Sequence, residues 1–158
     1  MKNNLRYWDT TCFLGWLKNE PDKVDECRGI IQACENDKLK IVTSTLTLAE
    51  VLYLRPNAKI PKEESETIRA FFDHSYIITV PLDRMIAEKA QDLIWEYGIK
   101  SKDAVHAASA IFSRVKILDT FDPDFNVMDN KIGTPPLQIG RPCFPYQFEL
   151  DEKKDKAK

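Results

Sequence analysis

No stretch of this chain is apolar over the roughly 20 residues needed to cross a bilayer. The opening segment, Met1-Lys2-Asn3-Asn4-Leu5-Arg6, passes at once into polar and aromatic residues and lacks the apolar region of a secretory signal. Membrane association is not expected, and cytoplasmic residence is the default. The four cysteines, Cys12, Cys27, Cys34 and Cys143, include no Cys-x-x-Cys pair and share no metal-ligand spacing, so they read as reduced, mostly structural thiols. Cys12, three residues after Asp9, falls near the acidic segment discussed below. A basic excess is missing as well: the net charge is −2 and the pI about 5.8, without the footprint of a dedicated nucleic-acid binder. A cluster of acids can mask a basic rim, so the global charge decides little. There are no internal repeats and no linker.

What is present suits one domain. A length of 158 residues can bury a single sizeable core. We expect that domain over residues 1–150, followed by a charged, disordered tail over 151–158. Leu5 to Trp8 reads as a first strand ending at Asp9. Val24, Cys27, Ile31 and Cys34 recur at helical spacing, which predicts a helix from Asp22 to Glu35. Leu39 to Thr43 is β-branched and strand-like, Thr45 to Leu54 reads as a helix stopped by Pro56, and Pro61 suits the first turn of the next helix. Tyr76 to Val80 is a strand, Met85 to Tyr97 an amphipathic helix closed by Gly98, and Ser101 is placed to cap a helix reaching Phe112. Val115 to Leu118 and Leu137 to Ile139 complete the strands. Alternating strands and helices imply a mainly parallel sheet covered on both faces, with sites beyond the strands' carboxyl ends.

Four acids fall at such positions. Asp9 and Asp122 follow strands, Glu50 lies in the helix after the second strand, and Asp103 lies near a helix start. Gathered together they would form an oxygen-only pocket of the kind preferred by hard cations such as Mg²⁺ or Mn²⁺. Each has an ordinary alternative. Asp9 can cap a helix, Thr47-Leu48-Ala49-Glu50 matches a capping box, Asp103 suits a helix dipole, and Asp122 suits a turn before Pro123. For Glu50 taken alone the box is the better reading. Asp119 and Asp124 nearly duplicate Asp122; Asp124 is the better auxiliary acid, because Asp119 lies within or at the end of its strand. Thr11 and Thr120 can hydrogen-bond a carboxylate. His106, one turn from Asp103, is more often a packing residue than a ligand or base at such a position. Trp8, Trp16, Phe121 and Phe125 read as core, while Lys18, Arg55, Lys59, Lys62, Arg84, Lys100 and Lys102 could touch phosphates.

Taken in order, these segments resemble the PIN domain (PilT N-terminal) family of metal-dependent ribonucleases, especially its VapC-like toxins, over Leu5 to Phe125. The motifs are Asp9-Thr10-Thr11, Ser44 to Glu50, Lys102-Asp103-Ala104-Val105-His106-Ala107-Ala108 and Thr120-Phe121-Asp122-Pro123-Asp124-Phe125. Thr11 stands where Ser or Asn is commoner, Asp119 adds a charge where an apolar residue is usual, and the region after Asn126 is longer. The resemblance implies a three-layer α/β/α sandwich with strand order 3-2-1-4-5. It maps Asp9, Glu50, Asp103 and Asp122 onto the catalytic acidic quartet, with Thr11 and Thr120 as polar helpers; we expect Asp9, Asp103 and Asp122 on the metal, and Asp124 and His106 as further auxiliary candidates. It also implies a cognate antitoxin and a homodimer; the mechanism we expect is in-line hydrolysis of single-stranded or looped RNA. The competing reading is a PIN-like module that binds RNA or protein without cutting. A phosphatase of the haloacid-dehalogenase type is set aside, because Thr11 occupies the place of its second aspartate.

Overall fold

The computed structural model describes residues 4–54 and 58–144, without the side chains of residues 53–59. Strand β1 (Leu5–Trp8) sets the frame through its alternation. Leu5 and Tyr7 pack to one side of the sheet, while Arg6 and Trp8 turn to the other. Helices α1 (Thr10–Leu17) and α2 (Val24–Glu35) follow, then β2 (Lys40–Ser44) and α3 (Thr45–Glu50). A hairpin of β3 (Tyr53–Leu54) and β4 (Ala58–Lys59) leads through a 3₁₀ turn at Lys62–Glu64 into α4 (Ser65–Phe72). The rest comprises β5 (Ile77–Val80), α5 (Arg84–Tyr97), α6 (Ser101–Phe112), β6 (Ile117–Asp119), α7 (Pro123–Asn126) and β7 (Gln138–Gly140).

The main sheet runs β5-β2-β1-β6-β7, and every pairing in it is parallel. Counting only these five strands in chain order, this is the expected 3-2-1-4-5. Parallel pairing forces each connection back to the starting edge, so the segments following β1, β2 and β6 all emerge on one rim. Two layers of side chains cover the sheet. On one face Tyr7, Val42 and Leu118 meet Ile86, Ala90 and Leu93 of α5 and the alanines of α6. On the other, Trp8 and Ile41 meet Phe13, Ile30, Ile31 and Phe72. Phe13 lies 5.2 Å from Trp8 and 4.8 Å from Phe72, centroid to centroid. Ala104, Ala107, Ala108 and Ala110 are wholly buried, and their small side chains let α6 lie close to the sheet. Among the described residues no helix is long and apolar enough to cross a membrane.

Two local expectations need correction. The helix expected from Thr45 to Leu54 ends at Glu50, because residues 53–54 spend their backbone bonds on the antiparallel partner 58–59. Ser101 is the first residue within α6 rather than its cap; Lys100 holds the cap position and makes no side-chain bond there. Cys12 does lie beside Asp9, whose carboxylate accepts its N–H at 3.3 Å, and it is fully buried with Cys27, whose thiol donates to the Cys12 carbonyl. Gly98 does close α5 as expected, with φ at +67°, a conformation glycine adopts without strain. The tail 151–158 and the side chains of Arg55 and Lys59 lie outside the described residues.

Candidate functional site

Asp9 sits where β1 gives way to α1 and is only 3% exposed. One carboxylate oxygen accepts the backbone N–H groups of Thr11 (3.0 Å) and Cys12 (3.3 Å), so it does cap the helix. The same oxygen also accepts the Thr11 hydroxyl, and the other accepts that of Thr120. A cap alone needs no donor from a distant strand. The two threonines extend the network, since Thr11 Oγ1 accepts the N–H of Phe121 (2.9 Å) and Thr120 Oγ1 that of Asp122 (3.0 Å). Burial pushes the Asp9 carboxyl up; His106 and the two threonines pull against it.

Asp103, in the first turn of α6, is 5% exposed. Its carboxyl is raised from 3.8 to about 6, first by burial, then by the charges of Asp122 and Asp9, against His106 and Lys102. Asp122 caps α7 by accepting the Asp124 N–H at 2.9 Å, and Pro123 follows at the position where a missing N–H costs nothing. Asp124 is exposed and pairs with Lys100 at 3.2 Å. Three of the expected acids thus act on one another electrostatically.

Glu50 is joined to them by other means, and its capping-box reading fails. The cap of α3 is Ser44, whose hydroxyl accepts the Leu46 N–H at 3.1 Å, while Thr47 bonds Thr43 at 2.8 Å. Glu50 is instead the last residue of α3 and reaches across the rim. Its Oε1 accepts the Thr10 hydroxyl at 2.8 Å and lies 3.0 Å from His106 Nε2. Burial raises the Glu50 carboxyl, but His106, Thr10 and Lys102 outweigh it and hold it below its ordinary value. His106 is therefore not a passive packing residue. It also lies 2.8 Å from the Tyr7 hydroxyl through Nδ1. The sequence did not single out Tyr7 or Thr10. The only signal was Tyr7's place in β1, on the face opposite Trp8.

Asp119 belongs elsewhere. It extends to the Trp8 face, where Arg6 binds both its oxygens at 2.9 and 2.6 Å and the Trp8 indole N–H donates at 3.0 Å. Among the described residues no buried side-chain nitrogen or oxygen lacks a partner.

Beside Asp122 opens a cavity of about 760 Å³, whose wall includes Thr11, Phe121, Lys18, Lys23 and Lys100. Its cations are balanced by Glu20, Asp122 and Asp124. Lys23, absent from the expected phosphate contacts, pairs with Glu20 at 2.6 Å and lies over the Phe121 ring at 5.6 Å. Arg141 covers the same ring at 4.7 Å while its guanidinium grips Glu26. Of the other basic candidates, Arg84 pairs with Glu88 on an exposed helix turn, and Lys62 lies in the 3₁₀ turn.

The donor set suits a hard divalent cation in kind, being all oxygen, and in charge, since burial and then the charges of Asp122 and Asp9 lift the Asp103 carboxyl. The grouping is looser than a ligand cluster: among the described residues no three His, Cys, Asp or Glu side chains stand close enough to hold one ion.

Comparison with known proteins bears on the fold. VapC20 of Mycobacterium tuberculosis, described as a sarcin-ricin loop cleaving toxin, is 14% identical, with a TM-score of 0.61 over 77% of this chain and 93% of its own. A toxin-antitoxin complex from Klebsiella pneumoniae includes a chain 25% identical, with a TM-score of 0.54 over 76% of this chain and 89% of its own. VapBC2 of Rickettsia felis, bound to a DNA fragment from its promoter, includes a chain 18% identical, with a TM-score of 0.58 over 85% of this chain and 96% of its own. Among curated protein sequences none matches. The family model described as PIN domain matches residues 6–131, which span both faces of the sheet and every acid described above. The chain belongs to the PIN domain family.

Proposed function

We propose that this chain is a divalent-metal-dependent endoribonuclease, the toxin of a toxin-antitoxin pair, acting through Asp9, Glu50, Asp103 and Asp122. The observation that carries the reading is the electrostatic convergence on Asp103, whose carboxyl the charges of Asp122 and Asp9 help raise to about 6 in a PIN-domain chain. Carboxylates held in mutual repulsion are costly unless a cation relieves them. Asp9, Asp103 and Asp122 would hold Mg²⁺ or Mn²⁺, which makes water more acidic and offsets charge on the attacked phosphate.

The chain's own residues supply the rest. Thr11 and Thr120 fix both oxygens of Asp9. Glu50, kept ionised below its ordinary range, can accept a proton from the attacking water. Lys18, Lys23 and Lys100 offer the phosphate backbone a wall next to Asp122, with Asp124 steering Lys100. Single-stranded or looped RNA is the fitting substrate, since there unstacked bases can be splayed out and read beside the scissile phosphate. Two of the similar structures contain a toxin-antitoxin pair, which supports a cognate antitoxin for this chain. A homodimer and a cytoplasmic location belong to the same reading.

The experiment is cleavage of a defined RNA panel with Mg²⁺ or Mn²⁺, wild type beside Asp9→Asn. Equal cleavage by both proteins would sink the assignment. One observation favours a second reading, a PIN module that binds without cutting: no three acids among the described residues are grouped as ligands. Calorimetric titration with Mn²⁺ separates the two. The nuclease takes up the ion at a specific site that Asp9→Asn removes, and the inert module shows no such site.

A further inference from the structure

We propose that His106 is a positioning residue that fixes the Glu50 carboxylate through one oxygen, with Tyr7 orienting the imidazole from behind. The inference rests on the nuclease reading for its consequence, but its geometry stands alone.

His106 is 2% exposed and Tyr7 is wholly buried, so neither side chain can turn to water for a partner. The imidazole is held at both nitrogens, with the Tyr7 hydroxyl 2.8 Å from Nδ1 and Glu50 Oε1 3.0 Å from Nε2. An ionised carboxylate only accepts, so the second contact requires the ring's proton on Nε2. Thr10 donates to the same Oε1 at 2.8 Å. Both donors converge on one oxygen of the carboxylate. A histidine that merely filled space could satisfy its nitrogens on nearby backbone carbonyls. This one spends Nε2 on an acid contributed by another helix, 56 residues away. The buried alanines of α6 make the reach possible, because they bring the helix close to β1 and β2.

Glu50 would otherwise be a helix-terminal side chain with several rotamers open to it. Two donors on Oε1 select one, and partners of this kind typically change activity by about 10–100-fold when removed.

The test measures steady-state RNA cleavage with Mn²⁺ for His106→Ala, His106→Gln and Tyr7→Phe, each also in a Glu50→Gln background. We expect His106→Ala to lower kcat about 10–100-fold with KM within about twofold. His106→Gln, which keeps an N–H near the Nε2 position, recovers most of the loss. Tyr7→Phe lowers kcat several-fold, and none of the three adds to Glu50→Gln. Equal loss in the Gln and Ala variants, or full additivity with Glu50→Gln, overturns the proposal. Long-range ¹H–¹⁵N correlation on wild type provides an arm that needs no activity. A proton on Nε2 supports the arrangement, and a ring protonated on Nδ1 alone overturns it. If the wild type cleaves no RNA, the nuclease reading fails and this spectrum still decides the geometry.

Discussion

Arg6 and Asp119 clasp each other across neighbouring parallel strands, two guanidinium nitrogens on two carboxylate oxygens, with both side chains nearly sealed from solvent. The pair lies on the opposite face of the sheet from Tyr7 and His106. Breaking such a pair leaves one buried charge without a partner, at a cost of about 3–5 kcal/mol. Asp119→Asn should therefore lower the urea midpoint sharply, whereas Asp122→Asn, at a partly exposed cap, should change stability by about 1 kcal/mol or less. Activity should show the reverse order. Denaturation curves and RNA cleavage on the same two preparations check this.

Asp9→Asn keeps a side-chain acceptor for the Thr11 and Cys12 N–H groups, so α1 should remain capped. The lost charge should lower RNA cleavage by at least about 10²-fold. Mn²⁺ at 100 times its Kd should stabilise the wild type by about 2.7 kcal/mol and the variant by much less. Thermal unfolding with and without the ion reads this directly.

Asp103 gives a pH dependence with a definite sign. Its carboxyl is raised from 3.8 to about 6, so the folded protein holds more protons than the unfolded chain across that window. The stabilising contribution is complete below the lower value and is lost as pH rises through about 6. At neutral pH in a chelator the ionised group costs about 1–3 kcal/mol. Asp103→Asn should then melt higher than wild type at pH 7.5 in EDTA, yet cleave RNA poorly. It should also flatten the stability profile between about pH 4 and 6.

Arg141 lies beyond the span matched by the family and ties the end of β7 to α2 through Glu26 and the Asp22 carbonyl. The pair is half-exposed, so Arg141→Ala should cost only about 0.5–1 kcal/mol. Its larger effect should be on the ring it covers. With Phe121 released at the cavity wall, the KM for RNA should rise several-fold while kcat holds.

Much of the architecture was legible because its signals are periodic. The Val24, Cys27, Ile31, Cys34 spacing gave α2, and β-branched runs gave β2 and β5. Two-residue strands carry no period, so β3 and β4 passed unseen and α3 was drawn four residues too long. Glu50 shows the limit of local spacing. Thr47 and Glu50 stand three apart as in a capping box, but the true cap is Ser44, and only the packing of α6 reveals where the glutamate goes. Asp119 was suspected of facing elsewhere from its place in the strand, and Arg6 accounts for it. Lys23 and Arg141 were missed because their common partner is a ring, Phe121, far from both in sequence.

The Thr120 hydroxyl that grips Asp9 comes from a residue 111 positions further along the chain. During synthesis the first acid therefore leaves the ribosome long before its clasp exists. β1 must wait in the middle of an unfinished sheet until β6 arrives beside it. A chain arrested before Thr120 lacks Asp122 and the hydroxyl that holds the second oxygen of Asp9, which Thr11 and Cys12 then hold by the first alone. Timing is thus written into the strand order: the network around Asp9 cannot close until β6 and the residues just after it have been made.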